Sequence, residues 1–369
     1  MEVSMKIFKI TTQLFILVYI IVLFSCCNNS IDKTISQTTS DVLSENISEL
    51  ESISQSSIME NNKGNLSQDE QLSIGYLHPG ARDQWLTKLA DNIKKCCNET
   101  GNKLLYYDCG SKKDLQVDQI KELISLDVDI IGLNPVNDSG WEEILKQAKT
   151  AGIPVIIINN PIDCDDESLW SCFISNDYYK EGQMAGQWLI NYLDKIQNDE
   201  TLKLVEMQDT LSVYWYGKSD KNDGFIDVIN TYDKIEIINK TSHGTSIQAY
   251  EIMGLLLKNN KEIDIVFTYS DDMAIGVIEA IEEAGLVPGE DIIIISIMGT
   301  NAALEAIVEG KIACSVECNP FMGDLFMEAC VRIANGEEIE REIHPVDRVF
   351  DITNAQTELD ARAKNGYGY

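Results

Sequence analysis

Histidine is nearly missing from this 369-residue chain: there are three, His78, His243 and His344, and they are isolated. None stands at a metal-ligand spacing from cysteine, so no His–Cys metal site is expected. Basic residues are also scarce, 29 Lys and Arg against 60 Asp and Glu, for a net charge of −31. Binding to a nucleic-acid backbone needs cations that this chain lacks, and an anionic lipid surface would repel it. An acidic surface that keeps the protein soluble is the simpler account. A Gly-x-Ser-x-Gly elbow, a Walker loop and a dinucleotide Gly-x-Gly-x-x-Gly are all absent from any strand–turn–helix context, and no convincing pair of carboxylates appears. Neither an enzyme nor a cofactor is expected. Proline is sparse (7) and the apolar fraction is 44%, a globular composition with room for two domains.

The start of the chain does not read as part of a fold. Lys6 and Lys9 precede an apolar run from Leu14 to Phe24, too short to span a bilayer and of the length of a signal peptide. It ends in Leu23-Phe24-Ser25-Cys26, which looks like a bacterial lipobox with Cys26 as the acylated residue. Residues 1–25 are therefore expected to be a lipoprotein signal peptide. Residues 26–70, rich in Ser, Thr, Asn, Gln and Glu without a sustained period, are expected to be a flexible tether. The expected location is outside the cytoplasm, lipid-anchored to a bacterial membrane, in the periplasm or on the outer face of the cell membrane.

Ten cysteines in an exported chain invite a disulfide count. Cys164 and Cys172 flank an acidic loop and could bridge; Cys314 and Cys318 are less persuasive. Cys96 and Cys97 are neighbours in one helix and cannot form an ordinary disulfide with each other. Buried thiols in a reducing or anaerobic setting are the better account. The cluster Asp163, Asp165, Asp166 and Glu167 lacks the glycine and spacing of a calcium loop and reads as solvated.

From Leu72 the chain alternates strand and helix. The clearest unit runs from Ile263 to Ser296: an apolar strand at Ile265 to Thr268, a helix capped by Ser270 and stopped by Gly285, and a strand at Ile292 to Ile295. Asp271 and Asp272 stand at the positive end of the helix dipole, which accounts for them better than an acid–base pair does. The block from Val128 to Ile158 repeats this plan, with Ala151-Gly152 matching Ala284-Gly285. The fold class expected is α/β, two similar lobes with parallel sheets whose strand ends face a crevice.

Three segments carry a family likeness: WEEILKQAKTAGIP (Trp141 to Pro154), NDYYKEGQMAGQW (Asn176 to Trp188) and DDMAIGVIEAIEEAGLVPG (Asp271 to Gly289). Together with the Asn-Gly-Tyr ending, they resemble the type I, ribose-binding-like periplasmic solute-binding proteins of sugar ABC transporters, in particular the galactofuranose-binding branch. The resemblance implies two Rossmann-like lobes joined by three hinge crossings that close on ligand. Carried onto this chain, the crossings fall near Phe173 to Asp177, Ser315 to Asn319 and His344 to Arg348. Lobe 1 would be 71–174 plus 319–344, and lobe 2 would be 177–315 plus 348–369.

The resemblance also places the pocket, where this chain departs from the pattern. Asn159 and Asn160 stand where relatives carry an Asp-Arg pair. Trp85 is kept, but Leu86 replaces an Arg, Lys221 another Arg, Ser270 an Asn and Met298 an Asp. Arg82 and His78, on the loop after the first strand, are candidates for new polar groups. Trp215, between Tyr214 and Tyr216, is a candidate aromatic wall, and Thr210 and Glu317 complete the set. The expected function is capture of a small molecule, a carbohydrate before others, for a membrane-anchored ABC importer by a monomer. The alternative is a sensor presenting a non-sugar molecule to a chemoreceptor or sensor kinase. A related transcription repressor would need a helix-turn-helix before the first strand, where this chain has a signal peptide and tether.

Overall fold

The computed structural model describes residues 71–208, 221–242, 244–259 and 262–369. Cys26 and the segments expected to be leader and tether lie outside them, as do Thr210, Tyr214, Trp215, Tyr216 and His243. Two six-stranded sheets organise the chain. The first holds β1 (Ser73–His78), β2 (Lys103–Asp108), β3 (Ile130–Leu133), β4 (Val155–Ile158), β5 (Cys172–Ile174) and β11 (Glu342–Ile343), in the order β11-β5-β4-β3-β1-β2. The second holds β6 (Leu202–Gln208), β7 (Ile235–Ser242), β8 (Ile265–Thr268), β9 (Ile293–Met298), β10 (Cys314–Glu317) and β12 (Val349–Asp351), in the order β12-β10-β9-β8-β6-β7. The two orders match strand for strand, so the expected plan of two lobes is present. All pairings are parallel except β10 with β12.

The central strands β3, β4 and β8 are buried at every residue. That is why they read as continuous apolar runs: helices cover both faces, so no side of the strand is left to be polar. The helices are α1 (Gln84–Glu99), α2 (Lys113–Ser125), α3 (Glu142–Thr150), α4 (Tyr178–Lys195), α5 (Lys221–Ile229), α6 (Ser246–Lys258), α7 (Asp271–Glu283), α8 (Asn301–Val308), α9 (Gly323–Ala334) and α10 (Ala355–Asn365). Ser270 Oγ accepts from the Met273 amide at 3.4 Å and caps α7, while Gly152 and Gly285 follow α3 and α7 at φ 77° and 78°. A helix C-terminus closed by a left-handed glycine therefore recurs in both lobes.

Some elements differ from expectation. β9 extends past Ile295 to Met298, which puts Met298 on a strand end. β5, β11 and β12 have three, two and three residues, too short to show a period. α10 is polar on most of its surface and is held by ion pairs described below. The eight cysteines among the described residues are all free thiols, Cys164 and Cys172 included. Burial pushes the thiols of Cys172 and Cys96 up to about 12, which makes them poor nucleophiles. No helix of the described residues is long and apolar enough to cross a membrane.

The chain passes between the sheets three times: after β5, between β10 and β11, and between β11 and β12. These crossings set the ends of both sheets against each other.

Candidate functional site

The carboxyl ends of the first sheet carry a row of buried polar residues. β1 ends on His78, β3 runs into Asn134, β4 into Asn159 and Asn160, and β5 into Ser175 and Asn176; all six are under 5% exposed. A strand's last carbonyls and the loop that follows are where an open α/β sheet can place side chains beyond its own ladder.

The loop after β3 is fixed by side chains from three directions. Gln116, buried on α2, donates Nε2 to the Asn134 carbonyl at 2.8 Å and accepts from the Val136 amide at 3.0 Å. Asn160 Nδ2 donates to the Pro135 carbonyl at 2.8 Å, and Trp141 Nε1 donates to the Asn137 carbonyl at 2.7 Å. The backbone of this loop is thus satisfied, and the side chains it displays are not. Both amide atoms of Asn134, approached loosely by the buried Tyr76 hydroxyl, and the Oδ1 atoms of Asn137, Asn159 and Asn176 are buried with no well-formed hydrogen bond among the described residues. Each such atom costs about 1–3 kcal/mol when nothing replaces its lost water. Several at the carboxyl ends of one sheet call for a partner that the described residues do not supply.

His78 belongs to this row. Its ring stacks on Tyr106 with centroids 6.0 Å apart, and both ring nitrogens are buried without a hydrogen bond among the described residues. Burial disfavours the imidazolium and lowers the pKa; Asp108 opposes this, and Lys94 and Arg82 add to it. A neutral ring offers one donor and one acceptor. Arg82 itself is exposed. Trp85 is buried, and its indole N–H is committed to the Cys318 carbonyl at 2.7 Å, joining α1 to the end of β10. Leu86 is core.

On the second sheet, Ser270 and Met298 stand at the carboxyl ends of β8 and β9, both half-buried. Met298 has φ 135°, and Asn159, at the same place in the first sheet, has φ 62°. The fourth strand of each lobe therefore ends in a left-handed kink. Asparagine tolerates that region; methionine is strained there. Lys221 opens α5, and its side chain lies outside the described residues.

Glu317 is placed differently from a ligand-gripping carboxylate. Arg348 donates to both of its oxygens at 2.7 Å, and Arg362 Nη2 lies 3.6 Å away. Arg348 and Arg362 also hold Glu358 of α10. This network, buried at Glu317, Glu358 and Arg362 and exposed at Arg348, docks the C-terminal helix on the second sheet and leaves Glu317 little capacity for a ligand. Tyr369, the last residue, places its hydroxyl 2.7 Å from the Met298 carbonyl and 3.1 Å from the Cys318 carbonyl. It ties the ends of β9 and β10 together.

The crossings meet at one carboxyl. Asp347 Oδ1 accepts from Asn319 N at 2.9 Å and from Asn176 Nδ2 at 3.1 Å. One side chain thereby touches all three passages between the sheets. Burial, then the like charge of Glu181 on α4, pushes its pKa up to about 8; the Asn319 amide lowers it, Glu317 adds to the rise, and Asn176 lowers it again. Nearby, His344 Nδ1 is 2.8 Å from the Ser175 carbonyl.

Of the candidate residues, the structure gathers His78, Asn159 and Asn160 on one sheet edge with Trp85 beside the second crossing. It sets Ser270 and Met298 at the corresponding edge of the other sheet. Asn134, Asn137 and Asn176 were missed. One signal was present: Asn134-Pro135 after β3 is echoed by Asn160-Pro161 after β4, and Asn-Pro marks the start of a turn. Among the described residues, no group of three His, Cys, Asp or Glu is placed to hold a metal ion.

Two matched α/β sheets, three crossings and polar groups at the strand ends are the architecture of a two-lobed binding protein. The family model of the periplasmic binding protein domain matches residues 74–338, and the chain belongs to that family. The galactofuranose-binding protein YtfQ of Escherichia coli (strain K12) is 31% identical over 304 residues, covering 80% of this chain and 93% of that one. The ribose import binding protein RbsB of Bacillus subtilis (strain 168) is 24% identical, covering 76% and 87%. Among solved structures, the arabinose-transporter binding protein of Shewanella sp. ANA-3, bound to α- and β-L-arabinofuranose, is similar at 31% identity with a TM-score of 0.69, covering 80% of this chain and 96% of that one.

Proposed function

We propose that this protein is a lipid-anchored, extracytoplasmic receptor that binds a neutral sugar between its lobes and hands it to an ABC importer. The observation that carries the reading is the row of buried neutral donors and acceptors at the ends of β1, β3, β4 and β5, unspent among the described residues. A polyhydroxylated ring supplies a donor and an acceptor at each hydroxyl and suits such a row. The relatives named for galactofuranose, ribose and arabinose binding support the same class, and all are named as binding proteins rather than enzymes. The site as read comprises His78, Asn134, Asn159, Asn160 and Asn176 from the first lobe, with Trp85, Ser270 and Met298 around them. Thr210, Trp215 and Lys221 complete it from the second lobe. Arg82 lies at its rim, and Glu317 supports it from beneath. Anchoring rests on the lipobox-like Leu23-Phe24-Ser25-Cys26.

Native mass spectrometry of protein purified without refolding tests the reading, followed by calorimetric titration with D-galactose, L-arabinose, D-ribose and D-fructose. A retained hexose or pentose, or heat from one of these at micromolar concentration, is the expected result. Retention of a non-carbohydrate, with no heat from the four sugars at millimolar concentration, would favour the sensor alternative. Mass analysis of the N-terminal peptide for a diacylglyceryl group on Cys26 checks the anchor.

A further inference from the structure

Asn159 and Asn160 form a chain of two amides that ends on a backbone carbonyl. The Pro135 carbonyl only accepts, so Asn160 must turn its NH2 group toward it, which it does at 2.8 Å. That leaves Asn160 Oδ1 facing Asn159, and Asn159 Nδ2 donates to it at 3.2 Å. The orientation of an isolated asparagine amide is ambiguous because its O and N are nearly isosteric. Here the ambiguity is removed one step at a time, starting from a group with a single possible role. The atom left over is Asn159 Oδ1, buried and without a hydrogen bond among the described residues.

We propose that Asn160 is a positioning residue that fixes Asn159 to present an acceptor, so that the bound molecule must donate a hydrogen bond at the end of β4. The left-handed backbone of Asn159, φ 62°, and the pinned loop Asn134 to Asn137 hold both amides in place. The consequence is a selection rule. A hydroxyl satisfies Asn159, whereas an ether, a fluorine, a ketone or a carboxylate at the same position sets acceptor against acceptor in a buried place. Loss of such a bond with an acceptor left unpaired lowers affinity about ten- to a hundredfold. The selection rule rests on the carbohydrate reading; the amide relay does not.

Two measurements test it. The first needs no ligand. In the 15N-labelled full mature protein, the Asn159 side-chain NH2 is expected to exchange with solvent at least tenfold more slowly than that of an exposed asparagine, and Asn160→Ala is expected to abolish this protection. Free exchange of Asn159 in wild type, or protection that survives in Asn160→Ala, overturns the relay. The second measurement titrates monodeoxy and monodeoxyfluoro analogues of whichever of D-galactose, L-arabinose, D-ribose or D-fructose binds wild type. At one ring position the fluoro analogue is expected to bind as weakly as the deoxy analogue, and Asn160→Ala to narrow that gap. Full retention of affinity by the fluoro analogue at every position overturns the selection rule. If none of the four sugars binds, it is the carbohydrate reading that fails, and the exchange data still decide the relay.

Discussion

Replacing Asp347 by asparagine should stabilise the protein, and the gain should depend on pH in a defined way. Asp347 Oδ1 ties Asn319 and Asn176, and an asparagine oxygen accepts both bonds equally well. The aspartate differs in titrating: its carboxyl is raised from 3.8 to about 8 by burial and by Glu181 and Glu317. Within that window the native state holds a proton that the unfolded chain has released, so wild-type stability falls as pH rises through it and levels off above. Roughly four pH units at about 1.4 kcal/mol each would give about 6 kcal/mol for a fully buried group. Asp347 is half-buried, and halving for solvent screening gives about 3 kcal/mol. The charged neighbours Glu181 and Glu317 are shared by both proteins, so the difference between the two isolates Asp347. Thermal unfolding of wild type and Asp347→Asn at pH 4, 6, 8 and 9 is the assay. The variant should match wild type near pH 4 and melt higher by about 6 °C at pH 8 and 9, at roughly 2 °C per kcal/mol for a body of this size. A gap that is constant across pH, or that widens toward acid, would refute the assignment of a raised carboxyl at the crossings.

Three further substitutions probe the frame around the site. Glu317→Ala leaves Arg348 and Arg362 with Glu358 alone and should destabilise by about 1.5–3 kcal/mol, the range for a charged hydrogen bond, seen as a lower midpoint in urea; a loss below about 1 kcal/mol would show that the network is not needed to dock α10. Met298→Gly removes a side chain from φ 135° and should gain about 1 kcal/mol, the relief of strain outweighing the added chain entropy; calorimetry showing a loss would mean that the Met298 side chain packs better than its backbone is strained. Gly276→Ala drives a methyl to 2.1 Å from the Ser246 carbonyl and should part α7 from α6, lowering the melting temperature by several degrees.

What could be read from residues alone divides along a physical line. Ile130-Ile131 and Val155 to Ile158 announce central parallel strands because a strand covered on both faces has no polar side, whatever surrounds it. Ser270 and Gly285 announce the ends of α7 because caps are local chemistry. The chemistry of the site is not local in this sense. Glu317 and Asn134 both sit at the carboxyl end of a strand, and by residue type the carboxylate is the stronger candidate for gripping a hydroxyl. Yet Arg348, 31 residues later, spends both Glu317 oxygens, while among the described residues only a loose approach of the Tyr76 hydroxyl engages Asn134. Whether a polar group is available to a ligand depends on which distant group reaches it first, and that is settled only when the sheets are assembled. The same reasoning explains why neutral groups such as Asn159 and Asn160 can serve a buried site as well as charged ones. A charged partner strengthens a hydrogen bond but must itself be paired when buried. Two amides oriented by a carbonyl need no counter-charge, and under the proposed relay they decide which of donor and acceptor a guest must bring.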